Sequence, residues 1–282
     1  MPVEQQLLRL VCRHLLMHLQ SQSLIFLCTF ARYKLSLSGL LEKSKISTRQ
    51  GGGVVQSPAF LRLDMSDFFT ATQRKLQHEF ASTELADRIV EAAVNNELSD
   101  QQAEFIHSRN MFYLATIDEV GFPSCSYKGG NTGFARVLNS NTLIFPDYNG
   151  NGMFMSMGNI EAQAKVGLLF VDYERPQRLR LRGEARCLRE GPMLESYPGA
   201  HLVVEVTVEH VWVNCPRYVH RMQPLEMSPY LPNEDGNVTL ALWKRINLMQ
   251  DVLSKAERRQ AEDMGILTVE QYETYVAQGR LV

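Results

Sequence analysis

Arg178-Leu179-Arg180-Leu181-Arg182-Gly183-Glu184-Ala185-Arg186-Cys187 is the stretch that decides the fold. Charged residues alternate in it with apolar or small ones. Successive side chains of a strand point to opposite faces, so the stretch predicts a strand with one wet and one dry face. Arg178, Arg180 and Arg182 share the wet face. A helix would instead repeat its apolar residues every three or four positions. The habit returns at residues 201–213, where Leu202, Val204, Val206 and Val208 alternate with Val203, Glu205, Thr207 and Glu209.

Upstream, residues 111–117 are rich in β-formers and lead into a turn, Asp118-Glu119-Val120-Gly121. Residues 122–127 can return as a second strand, with Pro123 favouring its entry or an edge. Residues 135–138, the turn Asn139-Ser140-Asn141 and residues 142–146 continue the series, and residues 165–171 read as a nearly continuous buried strand. One helical interruption falls at residues 155–163. Short turns with a single helix predict an antiparallel barrel; a doubly wound α/β fold would need long helices between its strands.

Helices flank this region. Phe68, Leu76, Phe80, Leu85, Ile89 and Ala93 recur at helical spacing over residues 66–95. Ser99 with Gln102 has capping-box spacing and starts a short helix over residues 101–106. The tail predicts helix over residues 240–253, more helix over 255–264 ending at Gly265, and a last short helix opened by Thr268.

A net charge of −2 gives no basic field for nucleic acid. The five cysteines, Cys12, Cys28, Cys125, Cys187 and Cys215, form no CxxC pair, against a disulfide framework or a zinc or iron–sulfur site. No apolar run is long enough to cross a bilayer, and no metal site is expected. Before residue 60, Arg9, Arg13, Arg32, Lys34, Lys43, Lys45 and Arg49 outnumber the acidic Glu4 and Glu42. That acid-poor, Ser/Leu-rich composition is that of an organellar transit peptide. A nonessential leader, or a true start at Met65, accounts for it as well. The expected organisation is a poorly ordered extension (1–64), a helical lead-in (65–106), a barrel (107–222) and a helical C-terminal extension (223–282).

Four segments can carry chemistry. In Ser126-Tyr127-Lys128-Gly129-Gly130-Asn131-Thr132-Gly133-Phe134 the glycines permit close backbone approach and Lys128 offers a positive charge, although the order is not that of a phosphate loop. A hairpin connection that holds a lysine explains it equally. In residues 145–159, Asn149-Gly150 and Asn151-Gly152 supply turn geometry, while Ser156 and Asn159 stand near a helix start, where they can meet a phosphate or a polar ring edge. Arg178, Arg180 and Arg182 can clamp a phosphate or simply face solvent. Trp212-Val213-Asn214-Cys215-Pro216-Arg217-Tyr218-Val219-His220 reads as a pocket rim, with no base placed to activate Cys215.

Together these segments resemble the pyridoxamine 5'-phosphate oxidase-like family of FMN-binding split barrels, in particular its probable FMN-dependent PPOX-class branch. The matching text is 112–116, Gly121-Phe122-Pro123, Ser126-Tyr127-Lys128-Gly129-Gly130 with Gly133-Phe134, and 147–153 with Ser156 and Gly158-Asn159. It continues with 168–172, Arg178-Leu179-Arg180 with Gly183, and 214–218. The resemblance covers roughly residues 75–265. It implies a mainly β fold with flanking helices, an antiparallel split β-barrel, working as a homodimer with FMN sites at the subunit interface. It also implies a cofactor-binding set of Ser126, Lys128, Gly129, Asn151, Ser156, Asn159, Arg178, Arg180, Asn214 and Arg217. The vitamin B6 oxidase's own C-terminal Trp/Arg segment is missing, which speaks against pyridoxamine phosphate as substrate.

The leading functional expectation is an FMN-dependent oxidoreductase in the cytoplasm that moves a hydride through flavin N5, to or from a small substrate or a nicotinamide cofactor. No side-chain constellation identifies a catalytic residue. The alternatives are a noncatalytic flavin or haem carrier, with His107, His201 and His220 as the nearest axial candidates, and a reductase using the deazaflavin F420.

Overall fold

The computed structural model describes residues 68–280. The expectations for residues 1–64, including targeting and the alternative start at Met65, lie outside the described residues.

Two helices open the described chain, α1 (Ala71–Glu79) and α2 (Thr83–Ala93). The helical reading ran to Asn95, but the chain straightens at Val94 and forms a two-residue strand β1 (Val94–Asn95). Its backbone pairs with a later strand, Val94 opposite Trp212 and Asn95 opposite Val211, and that long-range pairing overrides local helical preference. Helix α3 (Asp100–His107) begins with the expected capping box between Ser99 and Gln102.

The sheet then builds through β2 (Met111–Ile117), β3 (Pro123–Gly129), β4 (Arg136–Asn139), β5 (Thr142–Tyr148), β6 (Lys165–Asp172), β7 (Gln177–Leu188) and β8 (Ala200–Asn214). Helix α4 (Met155–Gln163) lies between β5 and β6, and the short α5 (Pro192–Glu195) between β7 and β8. All strand pairs are antiparallel, in the order β3-β2-β6-β7-β8-β5-β4, with β1 on β8. The path ends on β3 and β4 without a closing pair between them: a split barrel with flanking helices.

Alternation puts the core inside. Leu179 and Leu181 of β7 are buried, opposite Phe170 and Leu168 of β6, while Arg178, Arg180 and Arg182 face outward. The expected continuous burial of β6 is alternating too, since Gly167 and Leu169 are only half-buried. Phe112 sits at the centre, its ring 4.9 Å from Phe145, 4.8 Å from Phe170 and 5.7 Å from Phe134. Each fully buried side chain of this size contributes about 1.5–3 kcal/mol.

A bulge between β7 and β8 explains Gly183. The register shifts after Arg182, and a Cβ on Gly183 would fall 2.0 Å from the Thr207 carbonyl oxygen. No residue with a side chain fits there.

Beyond β8 the chain continues as an arm, with neither helix nor strand over residues 215–241. The tail does not form the expected helix over residues 240–253. It forms 3₁₀ turns at Leu242–Arg245 and Asn247–Met249, with Ile246 extended between them. Ile246 forms a parallel bridge with Leu267: Asn247 N–H donates to Leu267 O, and Leu267 N–H to Arg245 O, each at 2.8 Å. Helix cannot continue through a residue whose neighbours pair sideways. Helices α6 (Lys255–Met264) and α7 (Val269–Ala277) follow, each with a complete capping box, from Ser254 with Glu257 and from Thr268 with Gln271.

Candidate functional site

Register decides which side chains meet. Directly opposed residues of an antiparallel pair share a face. Lys128 stands opposite Phe112 and Ser126 opposite Leu114, so both share the inward face of β2. Because β3 is the end of the sheet, no further strand covers them and they remain half-buried. Asp147 is opposite the buried Leu202 and therefore faces inward from β5, near the other end of the sheet.

The split is bridged by polar groups. Lys128 Nζ lies 3.5 Å from Asp147 Oδ1, with side chains 18% and 14% exposed, a long contact for an ion pair. Ser126 Oγ lies 3.1 Å from Ser156 Oγ at the start of α4. Asn159 Nδ2 donates to Thr116 Oγ1 at 3.0 Å, fastening α4 to β2. Ahead of α4, Phe154 is in the left-handed region at φ 48°, and Gly152 at φ 76°. Asn151 Oδ1 accepts from Met153 N–H at 3.0 Å, a turn closed on itself.

Gly130 has the stronger structural reason to be glycine, because the Phe134 ring beside it is buried, whereas Tyr127 beside Gly129 is exposed. A Cβ on Gly129 would come 2.7 Å from the Tyr127 ring, and one on Gly130 2.4 Å from the Phe134 ring.

The arginine strand lies on the opposite face of the sheet. Register carries the outer face from Tyr127 through Tyr113 and Leu169 to Arg180 and Trp212. Arg178 is opposite Asn214; its Nη2 donates to the Cys215 carbonyl, while Arg178 Nε and Asn214 Oδ1 are buried with no hydrogen-bond partner. Arg180 and Arg217 are exposed. Within one chain, therefore, Ser126, Lys128, Ser156 and Asn159 gather around the split, with Gly129 and Asn151 in the adjoining segments. Arg178, Arg180 and Asn214 lie across the sheet from them, and Arg217 is exposed past the end of β8.

Sequence reasoning missed several outer-face groups. Tyr113 and Tyr173 hydroxyls meet at 3.1 Å, and burial together with that bond pushes Tyr173 up to about 12. Arg182 Nε donates to His210 Nδ1 at 3.2 Å, and burial and the guanidinium both lower the imidazole's pKa. An open groove of about 280 Å³ beside them is lined by Ala115, Ile117, Lys165, Arg182 and Glu209 among others. Alternation on β7 and β8 signalled the outer face, but not which residues meet there. Asp147 was visible only as part of a turn.

The histidines considered as axial ligands are dispersed. His107 Nε2 accepts from Val137 N–H at 2.9 Å, while His201 and His220 are exposed at other places. Among the described residues, no group of three or more His, Cys, Asp or Glu is placed to hold a metal ion. None of their helices is long and apolar enough to cross a membrane.

An antiparallel split barrel with a polar seam at its open edge defines the class of this protein. Residues 98–215, less than half of the chain, match the family model described as pyridoxamine 5'-phosphate oxidase, so the barrel region is similar to that family. Among solved structures, HupZ of Group A Streptococcus is similar at 22% identity over 45% of this chain and 99% of its own, with a TM-score of 0.36. HutZ, the haem storage protein of Vibrio cholerae, is similar at 17% identity over 41% of this chain and 94% of its own, with a TM-score of 0.30. An FMN-binding protein of Syntrophomonas wolfei subsp. wolfei is similar at 12% identity over 51% of this chain and 97% of its own, with a TM-score of 0.30. No curated protein matches the chain.

Proposed function

We propose that this protein is an FMN-dependent oxidoreductase acting as a homodimer, with the seam between β3 and α4 as its cofactor site. The observation that carries the reading is the seam itself: Lys128, Ser126 and Ser156 converge at the open edge of a barrel similar to those of this family.

The residues fit the group. Ser126 and Ser156 are hydroxyls bonded to each other, and either can turn to an incoming acceptor. Lys128 supplies a cation whose contact with Asp147 is long enough to be exchanged for a closer one. Asp147 makes the seam zwitterionic, so it can receive a donor–acceptor ring edge as well as an anion. Bound there, FMN would supply the hydride chemistry, at ring N5. The chain's own part is to bind, orient and exclude water: Lys128 and the serines fix polar groups, while α4, tied to β2 through Asn159, closes the side of the seam.

The arginine face enters through the dimer. Arg178, Arg180 and Asn214 cannot reach a ligand in their own chain's seam, because the sheet lies between, and Arg217 follows them past the end of β8. In the dimer we propose, they serve the site of the other subunit. The apolar Phe122, just before β3, and Tyr127 within it, 72% and 63% exposed, give such a dimer a surface to bury.

The test is the absorption spectrum of the purified protein, with the released ligand identified by mass and NAD(P)H tried as reductant. FMN at about one per subunit that NAD(P)H reduces supports the reading. A protein that is empty and fails to take up added FMN sinks it. A Soret band or deazaflavin fluorescence would replace FMN by haem or F420. We further infer a cytoplasmic location, checked by fractionating cells that carry the tagged protein.

A further inference from the structure

The loop that leads into α4 is held from outside the barrel. Residues 149–154 are exposed, and among the described residues their other hydrogen bonds stay within the loop or its helix. The exception is Asn149, whose Oδ1 accepts from Lys244 Nζ at 3.4 Å, across 95 residues.

Lys244 is an unusual residue to find there, only 7% exposed in a 3₁₀ turn of the arm. A buried ammonium must be paired, and Glu257 of α6 pairs it at 2.6 Å. The other Glu257 oxygen accepts from Ser254 Oγ at 2.7 Å, in the cap of α6. Gln250 Nε2 donates to the Lys244 carbonyl at 2.9 Å. Lys244 therefore has little freedom of its own.

The arm is fixed to the barrel at a second point. Gly199 and Gly236 both have positive φ, 80° and 79°, and pass so close that a Cβ on either would lie 2.6 Å from the other's backbone. Neighbouring Leu240 and Leu242 are buried. Anchored there, the arm presents Lys244 to the loop from a fixed direction.

We propose that Lys244 is a positioning residue: through Asn149 it sets the conformation of the 149–154 loop, and so the affinity of the seam that Ser156 helps to form. The inference rests on the cofactor reading above for its consequence, but not for the latch itself. A lysine at this place touches neither Lys128 nor Ser126, and it acts only through the loop.

The test is hydrogen–deuterium exchange of the full chain without added ligand, comparing wild type with Asn149→Ala and with the double variant Lys244→Met/Glu257→Gln. The double variant removes both charges together and keeps the cap, since Gln serves at that helix position. Exchange in peptides covering 149–154 is expected to rise by about tenfold in both variants, while β2, β6, β7 and β8 stay unchanged. FMN affinity, measured by flavin fluorescence, is expected to fall about 5- to 10-fold in both variants, and Lys244→Arg is expected to restore both readouts. Unchanged loop exchange overturns the proposal, as does equal loosening of loop and barrel, which would mark Lys244 as merely structural. If wild type binds no FMN, the cofactor reading fails, and exchange still decides whether the latch exists.

Discussion

The hydroxyls of Ser126 and Ser156, 30 residues apart in the chain, meet at 3.1 Å across the open edge of the barrel. One belongs to the last strand of the sheet, the other to the first turn of the helix that covers the gap, so each is placed by a different element. If the pair forms part of the cofactor site, removing either hydroxyl should weaken FMN by about 0.5–1.5 kcal/mol, and Lys128→Met by about 1.5–3 kcal/mol because its bond is charge-assisted. Flavin fluorescence titration measures both. A full-affinity Lys128→Met variant would move the site elsewhere.

Opposite faces of one sheet cannot serve one small ligand. Lys128→Met and Arg180→Met homodimers should therefore each lose FMN, whereas mixed dimers regain an intact site. Random exchange of subunits should restore about a quarter of the sites, read as flavin bound per chain after co-refolding or co-expression. No recovery would mean that the two residues do not meet across a dimer.

Two glycines should respond oppositely to alanine. Gly183→Ala drives a methyl group into the Thr207 carbonyl at the bulge and is expected to yield insoluble or unfolded protein. Gly158 lies within α4 with nothing within 4 Å of an added Cβ. Gly158→Ala should stabilise the empty protein by about 0.5–1 kcal/mol, measured by denaturant melts.

Glu257 gives the arm an acid limit. Its pairing with Lys244, aided by the Ser254 bond, holds the carboxyl at about 2, against an ordinary 4.5. A lowered acid contributes its full stability above the ordinary value and loses it as pH falls towards the folded one. Pepsin cleavage within residues 228–254 should therefore increase from pH 4.5 down to about 2, and Glu257→Gln should flatten that dependence.

Thiol labelling should distinguish the cysteines of the barrel region. Cys187 is pushed up to about 12 by burial and by the nearby Glu161, whereas Cys125 and Cys215 are exposed. Iodoacetamide at mild alkaline pH should modify Cys125 and Cys215 first and reach Cys187 only on unfolding, as peptide mass mapping would show.

Much of this was legible in the chain because strand alternation is a local signal. Arg178 to Cys187 announced its two faces, and Ser99 with Gln102 announced a helix start that formed with both bonds. The arm was misread because Leu240, Leu242, Ile246 and Met249 have helical spacing, while the parallel bridge from Ile246 to Leu267 has no local signature. The seam was half-legible: Ser126, Lys128 and Ser156 were singled out, but Asp147 became a partner for Lys128 only once the sheet brought its two ends together. The resemblance grouped the arginines with Lys128; within one chain, register puts Arg178 and Arg180 on the other face.

Strand β8 is 15 residues long; β7 runs along one edge, but the other edge is shared, with β5 on its first half and β1 against Val211 and Trp212 near its end. Those two residues of β1 are thus a bumper on an otherwise open stretch of backbone. A shortened chain beginning after Asn95 would keep every barrel strand, yet leave that stretch free to recruit foreign segments edge to edge. The useful length of this protein is set less by where its barrel begins than by the small piece that keeps the barrel from sticking to others.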